Sequence, residues 1–339
     1  MRAVADGETN WGRFRGEYAE LNLEDVGVGA WPSWLTAGMV RARRKSWQHV
    51  AVFTPELCLS LAAVNAGVLN SAFVCAVERG TGSVADFSLV RLPGVVHVPG
   101  RVSGASFGWR TRELTVEYRH KSPLEGEISV VTKPGAGRAA VVAELSFAPA
   151  DVDTPALSTL LPFRSGLPFY SLKGPCRVSG SVRVGHREYK VDGERDLLLL
   201  DYHRASYPWK TQWRWATLGW RMPDGRCATL NLTKNIIDDE RHGNENVLWC
   251  GEVLEELANA RFEVPADLGG NWHVGTEDGS VNLEFRPFAS RRDSTGAGPV
   301  SSAYAQLFGR FYGSVVSGSG ERILVEDVVG VVEDHNVRW

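Results

Sequence analysis

Apolar residues recur at every second position through short segments that end at Gly, Asn, Asp or Pro, along almost the whole chain. Such a chain can bury its apolar side chains as antiparallel strands joined by turns, and in little else. Leu59 to Val64 and Val68 to Val77 flank Asn65-Ala66-Gly67, which reads as a hairpin with glycine supplying a positive φ. Met222-Pro-Asp-Gly-Arg226 is a second clear reversal, with Pro and Gly where a tight turn needs them. Glu252 to Arg261, with Leu254, Leu257 and Ala258 on one face, is the one segment that reads as a helix. Many short strands must protect their edges, and closure into barrels or barrel-like sandwiches does this. With 339 residues the expectation is two such units. The fold class is therefore all-β, two lipocalin-like antiparallel β-barrel or barrel-like sandwich domains packed together, with few helices. Prolines 149, 155, 162, 168 and 175 interrupt the alternation, so the domains are set at 1-169 and 170-339.

Hydrophobic residues at 43% and charged residues at 23% are ordinary for a globular chain and exclude extensive disorder. No apolar run approaches the roughly 20 residues of a spanning helix, so no membrane insertion is expected. Met1 to Tyr18 has no apolar core and is not read as a secretion signal, which makes a cytoplasmic location the expectation. Cysteines 58, 75, 176, 227 and 250 show no CxxC spacing and read as reduced, packed residues. A net charge of −3 gives no basis for attraction to nucleic acid. The basic run Arg41-Ala-Arg-Arg-Lys45 is more often a solvated edge than a phosphate site. Gly104-Ala-Ser-Phe-Gly108 has the letters of a nucleophile elbow without the helix that must follow it. There is no Walker-type loop, and no cofactor is expected.

Chemistry concentrates in the second half. Extended geometry puts Leu197, Leu199, Asp201 and His203 on one face, and Val329, Val331, Glu333 and His335 on another. Two strands thus end in acid-x-His. Buried, such groups acquire useful acid-base behaviour; exposed, they merely mark strands leaving the core. Four such ligands on one metal ion is a minority reading, and no metal is assigned. Trp209, Trp213, Trp215 and Trp220 crowd one short window, and Trp213 and Trp215 share a face suited to an apolar ligand. Asn231 is a disfavoured mid-strand asparagine. The polar loop from Asp239 through His242 and Glu245 to Asn246 enters a strand carrying Trp249, and loops above rigid sheets often bind and catalyse.

Leu200-Asp-Tyr-His-Arg-Ala-Ser-Tyr-Pro208, Trp213-Arg-Trp-Ala216, Asn231-Leu-Thr233, Asn244-Glu-Asn246 and Glu333-Asp-His335 together resemble a bacterial family defined as a domain of unknown function. More distantly, the acid at the strand end, the Trp-x-Trp hairpin and the Pro-Asp-Gly turn are similar to the carotenoid hydratase (hydroxyneurosporene synthase) superfamily. That superfamily has two lipocalin-like domains and includes pericyclic cyclases. The resemblance implies a cofactor-free apolar pocket between two barrels, with Asp201 as the acid; His203-Arg204 stands where the hydratases carry a different run.

Two functions remain open on these residues. One is a cofactor-independent hydratase, isomerase or cyclase acting on a terpenoid- or polyketide-like molecule. In it Asp201 or Glu245 is the general acid, His203 or His335 positions it, and Glu333 completes the catalytic set. Trp209, Trp213, Trp215, Asn231, Asn246 and Trp249 would bind the ligand. The other is a non-catalytic carrier of an apolar small molecule, in which the acids are structural.

Overall fold

A computed structural model describes residues 1–29, 31–135, 138–240, 243–297 and 300–339. The chain forms two compact units. Each is built on a curled, half-barrel antiparallel sheet, and Ser33–Arg43 is the single α-helix among the described residues.

The first unit takes in most of the chain up to Pro208. Its sheet has thirteen strands among the described residues. At the centre, Leu197–Ser206 pairs with Arg44–Phe53 on one side and Pro168–Val184 on the other. Outer strands such as Leu114–Ser122 and Val141–Pro149 alternate buried and less buried positions, as half-covered strands do. Leu197–Ser206 is instead buried on both faces, apart from a half-buried Arg204. Polar side chains on that strand therefore have to find partners inside the protein.

The second unit takes in Trp209–Trp339 with two short earlier segments. Its sheet has nine strands among the described residues. Lys210–Arg221 pairs with Cys227–Lys234 through the expected turn, where Gly225 has φ +88° and Asp224 accepts from the Arg226 N–H. On its other side it pairs with Arg322–Arg338. One face of this sheet carries Leu218, Leu230, Phe285, Leu307, Phe311 and Val332 in a continuous apolar core. The opposite face carries Trp213, Trp215, Asn231, Gln306 and Glu333, all buried.

Three features depart from the sequence reading. Strands Pro168–Val184, Arg187–Val191 and Leu197–Ser206 belong to the first unit, so the compact units divide at 208/209 and not at 169/170. The proline-rich stretch is not a connector, because Leu157–Pro162 and Pro168–Val184 pair as a hairpin inside it. Glu252 to Arg261 is not helical: Gly251 turns the chain at φ +61°, Val253–Glu256 pairs back onto Val247–Cys250, and Ala260–Glu263 begins another strand.

Candidate functional site

In the first unit, strand pairing sets Lys173 and His49 on either side of Asp201, and Ser171 and Trp47 on either side of His203. The Asp201 carboxylate accepts a short hydrogen bond from Lys173 Nζ on Oδ1, and His203 Nε2 lies 2.9 Å from the same oxygen. Trp47 Nε1 approaches Oδ2 at 3.5 Å. His203 Nδ1 is 3.0 Å from the Tyr207 hydroxyl. Nε2 also lies 3.2 Å from Lys173 Nζ, so the carboxylate, the ammonium and the imidazole form one connected group.

Aromatic rings wall this cluster. Trp47 stacks on His203 with centroids 4.4 Å apart and planes inclined by 17°, and Phe169 meets the imidazole edge-on at 5.3 Å. Tyr207 stacks on the far part of Trp47 at 5.4 Å. Burial, the largest single influence, pushes the Asp201 carboxyl up, but the charges and hydrogen bonds of His203 and Lys173 outweigh it. The net effect holds Asp201 well below the usual carboxylate range, so it is ionised. Its side chain keeps 11% of its surface exposed, against 3% for Lys173 and 1% for His203. Asp201 is thus the most exposed of the three, while all three are buried.

The second unit brings together a different set. Trp213 and Trp215 sit directly across from His335 and Glu333 on the neighbouring strand, and Tyr304 and Gln306 face the same two residues from the other side. Glu333 accepts from the Tyr304 hydroxyl, from Gln306 Nε2 at 2.8 Å and from Trp213 Nε1 at 3.5 Å. His335 packs edge-on against Trp213 at 4.2 Å and bonds Ser302 Oγ through Nε2 at 2.8 Å. Burial first, then the nearby Arg291 charge, pushes His335 down to about 3, so it is neutral.

The sequence candidates thus fall into two constellations, with Asp201 and His203 in one unit and Glu333, His335, Trp213 and Trp215 in the other. The Trp-x-Trp strand belongs with Glu333, not with Asp201. Asn231 accepts from Trp215 Nε1 at 2.8 Å and donates to the Glu245 carbonyl at 2.8 Å. Asn246 accepts from the Thr233 N–H at 2.7 Å and donates to the Ala258 carbonyl at 3.0 Å. Both asparagines therefore tie backbone segments together. Glu245 and Trp249 are buried in the same unit, whereas Trp209 is 48% exposed. His242 lies outside the described residues. Among those described, no three His, Cys, Asp or Glu side chains gather in a way that could hold a metal ion. Lys173, Trp47, Tyr207, Tyr304 and Gln306 were not found from sequence. For Lys173 a signal existed, a lone lysine within the otherwise apolar run Leu167 to Cys176.

Two antiparallel half-barrel units, each with a buried acid two residues from a histidine and beside aromatic side chains, define the class of protein. Within that class, the chain belongs to the family described as a domain of unknown function, DUF2804, whose model matches residues 3–339. No curated protein matches it significantly. Among solved structures it is similar to an AttH-like protein from Nitrosomonas europaea, with a TM-score of 0.55, 12% identity and coverage of 86% of this chain and 92% of that one. It is also similar to kievitone hydratase from Nectria haematococca, with a TM-score of 0.51, 10% identity and coverage of 87% and 88%. At these identities the likeness is one of fold.

Proposed function

We propose that this chain is a cofactor-independent acid–base enzyme that hydrates, isomerises or cyclises an apolar terpenoid- or polyketide-like molecule. Its centre is the Lys173–Asp201–His203 cluster. The observation that carries this reading is the shared Asp201 oxygen, within hydrogen-bonding reach of both Lys173 Nζ and His203 Nε2 and set beside stacked aromatic rings. A buried, fully coupled group of this kind is costly to keep and is the sort of arrangement that acid–base catalysis uses. The fold likeness to a kievitone hydratase supports the same class of chemistry.

The roles follow from protonation. Because Asp201 is ionised, it is not the proton donor in this scheme; it faces the substrate, orients an attacking water or steadies cationic charge developing on an alkene. His203 delivers a proton to carbon, the proton released by the attacking water returns to the imidazole by way of the Asp201 carboxylate, and Tyr207, bonded to Nδ1, holds the ring. Lys173 keeps the carboxylate charged. Glu333, Glu245, Asn231 and Asn246 are given structural roles, and Trp47 takes the pocket-wall part that sequence assigned to Trp213 and Trp215.

Native mass spectrometry of the protein purified from its own host tests this reading against a carrier. The enzyme reading expects no stoichiometric ligand, and conversion of a component when a host metabolite extract is added. A tightly held, unmodified apolar ligand with no turnover would assign the chain to carriage instead.

A further inference from the structure

The helix Ser33–Arg43 is fixed to the first unit by one side, where Thr36 and Val40 are buried and Ser206 Oγ donates to the Val40 carbonyl at 3.0 Å. Its other side faces outward. Trp34 is 74% exposed, and Trp31, just before the N-cap Pro32, is 60% exposed. Arg41 lies seven residues beyond Trp34 and so on nearly the same helical stripe, about 10 Å along the axis. Arg41 and Arg43 are exposed, and no acidic partner for either occurs among the described residues; the nearby Glu24 is taken by Arg44 and Arg204.

The neighbouring turn extends this surface. Ser46 pairs with Asn65, which places the turn carrying the exposed Val68 and Leu69 beside the end of the helix. Asn70 Oδ1 accepts from the N–H groups of Gly94, Val95 and Val96 at 3.0 to 3.1 Å, which ties in the segment carrying Leu92, 75% exposed. Isolated exposed apolar residues are ordinary on a soluble protein. Two outward tryptophans, an unpaired Arg41 on the Trp34 stripe and further apolar side chains near the end of the helix are not isolated; Arg43, nine residues from Trp34, lies about 180° round the helix and is not part of this stripe. Indole rings settle at the headgroup level of a bilayer, and arginines beside them meet lipid phosphates.

We propose that this rim of the first unit docks on an anionic lipid bilayer, with Trp31 and Trp34 entering the interface and Arg41 pairing with a phosphate headgroup. The surface is peripheral, and the proposal stands independently of the catalytic reading.

Flotation of the full chain with phosphatidylcholine vesicles, prepared with and without phosphatidylglycerol, tests it. The protein should float with the phosphatidylglycerol vesicles alone and be released by salt. Arg41→Gln should lower binding roughly fivefold, the contribution of one basic side chain at an anionic surface. Trp31→Ser with Trp34→Ser should lose it as well. Far-UV circular dichroism and the melting midpoint should be unchanged in both, because the altered side chains are exposed. No flotation, binding indifferent to phosphatidylglycerol, or variants that bind like the parent chain would overturn the proposal. A dimer in sedimentation velocity that the tryptophan variant dissolves would overturn it too, by giving the patch to a second copy of the chain.

Discussion

Individual residues were legible where alternation alone decides orientation. Asp201 and His203 share a face because they are two apart on a strand, and that much follows from the period of an extended chain. Their partner Lys173 is 28 residues away and Trp47 is 154 from Asp201, so only the strand order could reveal them. A buried histidine of another kind yields a test. His120 is 4% exposed, bonded to Gln48 and flanked by Phe107 and Phe147, and burial pushes it down to about 4. The unfolded chain binds this proton below the ordinary histidine value of 6.5, whereas the folded chain refuses it until near 4. Stability from this group is therefore complete above pH 6.5 and falls as pH drops through that window, by about 3 kcal/mol in all. Urea unfolding near pH 7 and near pH 5 should show a smaller acid loss for His120→Gln than for the parent chain. His335 contributes in the same direction in both proteins, so the difference between them isolates His120.

At the scale of elements, hairpins with their own turn chemistry were readable and long-range pairings were not. The turn around Gly225 announces itself, while nothing in Lys210–Arg221 states that its other neighbour is the last strand of the chain. The α-helix among the described residues lies elsewhere than the spacing predicts, for a related reason. Helical spacing in Glu252 to Arg261 is short, and Gly251 converts it into a tight reversal that pairing then rewards. Ser33–Arg43 was passed over because Gly38 and the exposed Trp34 blur its apolar stripe. Close pairing also leaves a mark at Gly180. Its φ is +137°, and a methyl group there would run into the Glu144 carbonyl oxygen on the paired strand. Gly180→Ala should therefore lower the stability of the first unit by at least about 2 kcal/mol, seen as an earlier denaturant midpoint. An unchanged midpoint would mean that the two strands can separate at that point without cost.

At the scale of the molecule, sequence conveyed two all-β units because period-two alternation repeats on both sides of the chain's midpoint. It could not set the division between them, since Leu197–Ser206 is joined to the first half of the chain by pairing with Arg44–Phe53, about 150 positions earlier. That same pairing completes the cluster on which the functional proposal rests. The Glu333 constellation provides the natural control, being likewise a buried acid beside a histidine and aromatic rings and assigned no chemistry. The most direct test is mass spectrometry of a host metabolite extract treated with the parent chain, with His203→Gln and with Glu333→Gln, each first shown to be folded by circular dichroism. The account predicts that the parent chain and Glu333→Gln convert the same component into an isomer or a product one water heavier, and that His203→Gln leaves it untouched. Equal conversion by His203→Gln, or loss confined to Glu333→Gln, would contradict it.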